Sequence, residues 1–433
     1  MLKELINKLQ QNPFFKNVLI LATGTGLAQI IPIFTSPINR RLYTPEEYGQ
    51  LGLIVSISAI CASIATGRYE MAIMLPKKLR KAISLVWLSF SISTAFSLLL
   101  LFLVVFFKGI FAQWLNNPEI ENWLFLVPFI VFGNSVYKIL YNYNNKLKSY
   151  KIIARTQLTR AIIAAGIMIG LGLAIKGSEI GLMVATVIST YAGITLLAKA
   201  FKKDSRADQS ISKEDMLLVA KDYNKFPKYS VWAGLANVAS NHLLSIFIFI
   251  AFGKALLGQF SLTNVICGIP TTILGLALSQ VYYQRIIEVK NNGGDTRKMF
   301  LKTIKMIAIV SLTLFFILYF IAGPAIKFVY GSNWDIAAEL TTIMIPFFAI
   351  RFISSSVGTT TSAFERQELT LVVNVCLLIT LAGLIGIIKI WELSIFESVG
   401  LYASSFSVLY LIFIFVFYRI INRYERNKIN LDA

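Results

Sequence analysis

The sequence predicts an all-α integral membrane protein of about twelve transmembrane helices in two six-helix lobes, related by a pseudo-twofold axis along the membrane normal. Three observations carry the prediction. Hydrophobic residues make up 56% of the 433 and charged residues 15%, with a mean hydropathy of +0.68, more apolar surface than a soluble domain of this length can hide. Apolar runs of about 20 residues, each able to cross roughly 30 Å of hydrocarbon as a helix, recur from end to end. The 41 Lys and Arg, against 22 Asp and Glu, concentrate in alternate loops and at the two ends, which marks those loops as cytoplasmic. In a soluble chain a formal charge of +19 raises nucleic acid as a partner. Here the charge belongs to a membrane face, and no nucleic acid is expected.

Taken in order, the runs predict spans over 17–39, 49–70, 82–107, 123–143, 153–175 and 180–200, forming an N-terminal lobe of residues 1–200. Lys3, Lys8 and Lys16 precede the first run and superficially suggest a signal peptide, but the run from Val18 to Ile38 is too long and lacks a cleavage site. It is read as the first span. A cytoplasmic basic linker follows at 201–228, in which Ser212 to Tyr223 opens with a capping serine and acids and predicts a short surface helix. Spans over 229–252, 257–281, 303–322, 338–361, 369–390 and 399–418 form the C-terminal lobe of residues 229–418. The basic tail, 419–433, is cytoplasmic like the N-terminus because the number of spans is even.

A faint internal repeat supports duplication. Tyr48 to Ile57 (YGQLGLIVSI) aligns with Leu257 to Ile266 (LGQFSLTNVI), and Pro128-Phe129 with Pro346-Phe347. Two lobes of equal topology would enclose a cavity between them. Pro32, Pro37, Pro128, Pro270 and Pro346 lie in or near spans, where proline kinks a helix.

Motifs for soluble chemistry are missing. There is no GxxxxGK[ST] phosphate cradle, so the chain does not hydrolyse ATP by itself, and one histidine, His242, leaves no metal-binding HExxH. Cys61, Cys267 and Cys376 are far apart in apolar runs and read as small core residues. No cofactor, metal or enzymatic activity is expected.

Ionisable residues inside spans are costly and face a cavity or a partner. They are Arg68 and Glu70 late in the second span, Lys138 in the fourth, Arg155 and Arg160 in the fifth, and Arg351 near the centre of the tenth. Cations dominate, which suits an anionic substrate whose oxygens offset the desolvation of Arg and Lys. Plainer readings stand beside each. Arg68 and Glu70 are near enough to the inner end of their span to meet headgroups or each other, and Lys138 and Arg155 are within snorkelling reach of the interface. Arg160 and above all Arg351 lie deeper. His242, among Asn237, Ser240 and Asn241, is either an ion-coupling residue or a hydrogen-bonded packing one. Gly166 and Gly170 have the spacing of a helix-packing face. Ser354 to Ser362 (SSSVGTTTS) offers hydroxyls either to a sugar or to neighbouring helices.

Two stretches add a resemblance. Ser36 to Gly49 (SPINRRLYTPEEYG) and Gly67 to Pro76 (GRYEMAIMLP) resemble the opening of bacterial Wzx-type polysaccharide, or O-antigen, flippases of the multidrug/oligosaccharidyl-lipid/polysaccharide exporter superfamily. Length, basic linker and six-plus-six arrangement agree over the whole chain. Thr44 and Glu47 also have capping-box spacing, so the motif has a structural explanation too.

The resemblance implies a flippase that moves undecaprenyl-pyrophosphate-linked oligosaccharide from the inner to the outer leaflet of the bacterial cytoplasmic membrane. The product would serve lipopolysaccharide, capsule or exopolysaccharide synthesis. Membrane lipids, a polysaccharide polymerase and a chain-length regulator are the further partners it brings into view. On this reading Arg351 and Arg160 contact pyrophosphate, Arg68 and Glu70 act as a gate or secondary contact, Lys138 is a further substrate-binding residue, and alternating access is coupled to an ion gradient. Two alternatives remain. A multidrug exporter of the same superfamily that takes cationic substrates needs acidic residues in its cavity, which are nearly absent. A membrane glycosyltransferase or polymerase needs a large outer loop, whereas the connections around Lys108 to Asn122 and Gly323 to Ala337 are short.

Overall fold

A computed structural model describes residues 13–175, 177–207 and 211–432; Lys3 and Lys8 of the basic N-terminus and Ala433 of the tail lie outside them. Among the described residues there is no strand. Eleven segments are long and apolar enough to cross a membrane. They coincide with the second to twelfth expected spans, and a further helix, α1 (Pro13–Leu42), covers the first. The protein is an all-helical integral membrane protein.

The chain divides into two compact units, Met1–Ile250 and Ala251–Ala433. In the first, α2 (Pro45–Ile64) begins with a complete capping box. The Glu47 amide donates to Thr44 Oγ1 at 3.4 Å, and the Thr44 amide donates to Glu47 Oε2 at 2.7 Å. Proline at the first helical position costs nothing there, because its missing N–H would be an orphan donor anyway. The second span ends earlier than expected. Gly67 and Arg68 both adopt left-handed backbone, at φ +59° and +62°, and break the helix before the single turn α3 (Tyr69–Ala72).

The remaining helices of this unit are α4 (Leu79–Trp114), α5 (Leu126–Lys146), α6 (Tyr150–Ala174), α7 (Ile180–Tyr191), α8 (Ile194–Ala207), α9 (Lys213–Asp222) and α10 (Val231–Phe252). The short surface helix expected in the linker is α9, capped by Ser212, whose Oγ accepts from the Asp215 amide at 3.1 Å. It is docked rather than loose. Val219 joins the core formed by Tyr69, Ile73, Ile83 and Tyr143. Asp215 and Asp222 pair with Arg80 at 3.0 Å and Lys81 at 2.7 Å. The first turn of α4 has no acid of its own to meet its N-terminal dipole, and α9 supplies two. The boundary between compact units thus falls after Ile250, one helix beyond the expected linker, because both α9 and α10 pack into the first unit.

The second unit comprises α11 (Lys254–Pro270), α12 (Leu276–Asn291), α13 (Thr296–Tyr330), α14 (Asp335–Val357), the single turn α15 (Thr360–Ala363), α16 (Gln367–Ile390) and α17 (Ile395–Asp432). Pro270 ends α11 and opens a wider turn at Thr271–Gly275; Pro346 lies inside α14, and Pro324 inside α13 is a further interruption.

The aligned repeat has a structural counterpart in the two units. Gln50 is buried and donates from Nε2 to Glu119 Oε2 at 3.2 Å, tying α2 to the short turn that leads into α5. Gln259 is buried and donates to the Asn333 carbonyl at 2.6 Å while accepting from the Ala337 amide at 3.0 Å, tying α11 to the start of α14. At the aligned position each unit thus has a buried glutamine that ties two segments together, through one bond at Gln50 and two at Gln259.

Two packing expectations are corrected or decided. A Cβ at Gly166 or Gly170 would meet nothing within 4 Å, so neither is a close-packing glycine among the described residues. Close packing in α6 occurs instead at Gly172, against the Tyr43 ring. The hydroxyls of Ser354–Ser362 largely serve the protein. Ser355, Ser356, Thr360 and Thr361 bond carbonyls in their own turns, Thr360 also meets Tyr282 Oη at 2.6 Å, and Thr361 meets Thr370 at 3.0 Å.

Candidate functional site

Three of the residues singled out by charge converge in the first unit. The left-handed turn at Gly67 and Arg68 redirects the chain, so that Arg68 leaves the axis of α2 and its guanidinium lies against α10. Glu70 follows in α3, only 4% exposed, and accepts a short hydrogen bond from Thr66 Oγ1. Its other oxygen is 4.0 Å from Arg68 Nη1. Lys138, half-buried on α5, reaches the Ala62 carbonyl at 3.5 Å and lies within electrostatic range of both Arg68 and Glu70.

Two cations thus share one carboxylate. Glu70 is itself tied to Thr66, and Arg68 Nε is buried with no hydrogen-bond partner among the described residues. An unmatched buried donor on a guanidinium costs free energy unless an acceptor from outside meets it. With Arg68 and Lys138 near the one carboxylate of Glu70, the cluster carries an excess of positive charge.

Arg160 is held apart from it. Its Nε donates to the Ser189 carbonyl at 3.0 Å, Nη2 approaches Asn134 Oδ1 at 3.5 Å, and Cζ stands 4.1 Å above the Tyr137 ring. It lines an open cavity of about 350 Å³ with Gln29, Tyr137, Gln157 and Ser189. Arg155, on the same helix, is exposed. Arg351 belongs to the second unit. It is half-buried on α14, with Cζ 5.9 Å from the Phe347 ring and 5.7 Å from that of Phe348, and Phe347 in turn packs on Tyr402 and Phe406. His242 faces Ser56 of α2, with Nδ1 3.2 Å from Oγ.

The resembling motif is mainly architectural. Tyr43 is buried and donates to the Met168 carbonyl at 2.7 Å, and its hydroxyl occupies the space a Cβ at Gly181 would need. Arg40, which charge counting within spans overlooked because it stands at a predicted span end, is buried with its Cζ 4.1 Å above the Tyr48 ring. Tyr43, Tyr48 and Arg40 form one aromatic and cationic knot, and the sequence signal was their closeness in the motif itself.

The fold is similar to those of solved transporters. An inward-facing multidrug resistance MATE family transporter of the MOP superfamily superposes with a TM-score of 0.68 at 14% identity, covering 94% of this chain and 96% of its own. A MOP superfamily transporter from Pyrococcus furiosus superposes at 0.62 and 12% identity, over 96% and 97%. An outward-facing MATE family transporter gives 0.56 at 12%, over 96% of each chain. No curated protein matches the sequence. A family model does, over residues 40–339, and it takes in both the Arg40 to Tyr48 knot and the Arg68 cluster, so that the chain belongs to the family it describes, that of polysaccharide biosynthesis proteins.

Proposed function

We propose that the protein is a flippase for undecaprenyl-pyrophosphate-linked oligosaccharide units, carrying them from the cytoplasmic to the outer leaflet of the bacterial cytoplasmic membrane by alternating access. One observation carries the proposal. Arg68 and Lys138 are clustered around a single carboxylate, with a buried guanidinium donor left open, and pyrophosphate has the charge and the oxygens to complete the set. Family membership supplies the polysaccharide context, and the transporter fold supplies the means of moving a cargo. Arg160 and Arg351 are assigned as further contacts to the anionic part of the substrate, and Glu70 as the group that holds the cluster when it is empty. The termini are assigned to the cytoplasm, where most of the basic residues lie.

A drug exporter for cations is the second reading, since several similar folds are multidrug transporters. The Pyrococcus furiosus transporter is described as having a binding pocket of reverse polarity that suggests a different function. The excess of cations over acids in the Arg68 cluster likewise argues against a cationic drug.

The test is deletion of the gene in its own host, with surface polysaccharide and undecaprenyl-linked oligosaccharide measured together by mass spectrometry. Loss of surface polymer with accumulation of the complete lipid-linked unit is expected. Unchanged levels of both would return the protein to the drug exporters, and a lipid-linked unit that is never completed would point to an enzyme earlier in synthesis.

A further inference from the structure

A cavity of about 450 Å³ lies between the start of α16 and the last third of α17, within the size range of small-molecule sites. Its walls change character along its length. Phe415, Val416 and Leu369 form an apolar end; Arg419, Arg423 and Arg366 form a cationic one, with Asn427 beyond. Phe415, Arg419 and Arg423 are spaced i, i+4, i+8 and fall on one stripe of α17. The Arg419 guanidinium is braced 5.2 Å from the Phe415 ring. The cavity holds one acid, Glu368, and it is engaged by Arg366 at 3.1 Å. Arg419 and Arg423 remain as exposed cations facing the cavity.

Length fixes the depth. The 38 residues of α17 span about 57 Å, against roughly 30 Å of hydrocarbon, so a helix that enters at Ile395 leaves the hydrocarbon near Phe415. The change from apolar to cationic walls therefore coincides with the headgroup layer. We infer that this cavity is a binding site for the phosphodiester headgroup of an anionic phospholipid, with the phosphate between Arg419 and Arg423 and the upper acyl chains against Phe415, Val416 and Leu369. Basic pockets between transmembrane helices at the membrane face take lipid headgroups by this combination of charge and apolar footing. The site shares no residue with the Arg68 cluster and makes no use of the proposed flippase substrate.

The experiment is native mass spectrometry of the full-length protein released from detergent after incubation with phosphatidylglycerol, phosphatidylcholine or inorganic phosphate. Retained phosphatidylglycerol is expected. Arg419→Gln with Arg423→Gln should lower it about tenfold, the loss of two charge-assisted contacts. Leu369→Trp, which fills the apolar end and leaves the charges, should lower it as well. Arg426→Gln, a change of equal charge on the same helix outside the cavity, should leave it unaltered. Equal retention of phosphatidylcholine, equal loss with Arg426→Gln, or retention by the double variant would overturn the site. Displacement of phosphatidylglycerol by inorganic phosphate would make it a site for free anion and not for lipid.

Discussion

Arg68 and Gly234 are in contact in a way that no other residue at position 234 permits: a Cβ built on Gly234 would fall 1.6 Å from Arg68 Nη2 and 2.4 Å from its Cζ. The atom displaced is the far end of a flexible side chain, so Gly234→Ala is predicted to cost little stability and to move the guanidinium. Export of surface polysaccharide should fall about tenfold, the scale of one misplaced charged contact, while thermal unfolding in detergent shifts by a few degrees at most. Normal export by Gly234→Ala would separate Arg68 from the transport path.

Lys138 is predicted to act by charge. Lys138→Gln removes one of two cations facing Glu70 and should weaken binding of undecaprenyl pyrophosphate to the purified protein about tenfold, or ~1.4 kcal/mol, whereas Lys138→Arg should keep most of it. Titration by intrinsic fluorescence reads the difference. Equal affinity for both variants would show that the side chain only fills space between α2 and α5.

Tyr43 and Gly181 form a pair suited to a double-mutant cycle. Tyr43→Phe loses the hydrogen bond to Met168 and should cost about 1 kcal/mol. Gly181→Ala places a methyl 2.0 Å from Tyr43 Oη and should cost about 1–3 kcal/mol by overpacking. In the double variant the hydroxyl is gone, so the two losses should sum to less than their parts in denaturant unfolding. Strict additivity would mean that the two residues do not touch.

The docking of α9 has a predicted pH dependence. Hydrogen bonding from Arg80 holds the Asp215 carboxyl below its ordinary range. A group depressed in the folded state contributes in full above its unfolded pKa, near 3.9 for Asp, and its contribution is lost as pH falls through the folded value. Amide exchange over 213–222 should therefore be flat from about pH 8 to pH 5 once corrected for intrinsic rates, and should accelerate only in more acid solution. Asp215→Asn should accelerate it at neutral pH. Exchange that rises between pH 8 and 6 would assign the docking to another group.

His242 is predicted to serve packing. Its Nδ1 lies 3.2 Å from Ser56 Oγ, a bond that the side-chain amide of His242→Asn or His242→Gln can replace. Export by either variant should remain within about twofold of the original at every pH tested, since an amide does not titrate. Loss of export by both, with the fold intact, would make His242 the ion-coupling residue.

The spans were legible because apolar length is set by the bilayer, and the helix starts at Thr44 and Ser212 because capping is written within four residues. The break after Ile64 was not. Gly67 sits in an apolar run where glycine is also tolerated inside helices, so the run read through to Glu70. Charge inside spans named Arg68, Glu70 and Lys138 but not their meeting, which depends on α5 and the turn after α2 approaching across the fold. Gly166 and Gly170 had packing spacing and yet face open space, because spacing fixes a shared face and not what lies opposite it. The α16–α17 cavity was out of reach for the same reason, since Arg366 and Arg419 are distant in sequence.

Gln50 and Gln259 bear on how independently each unit is held together. Each clasps its own unit by hydrogen bonds to residues of that unit alone, so either unit is fastened at that point without help from the other. The two units differ in their electrostatics there. The alignment that pairs the two glutamines sets Ala277 and Ser279 opposite Arg68 and Glu70, so the charged turn belongs to the first unit and has no counterpart at the aligned positions of the second. A change of charge in that turn therefore leaves the glutamine clasp of either unit untouched.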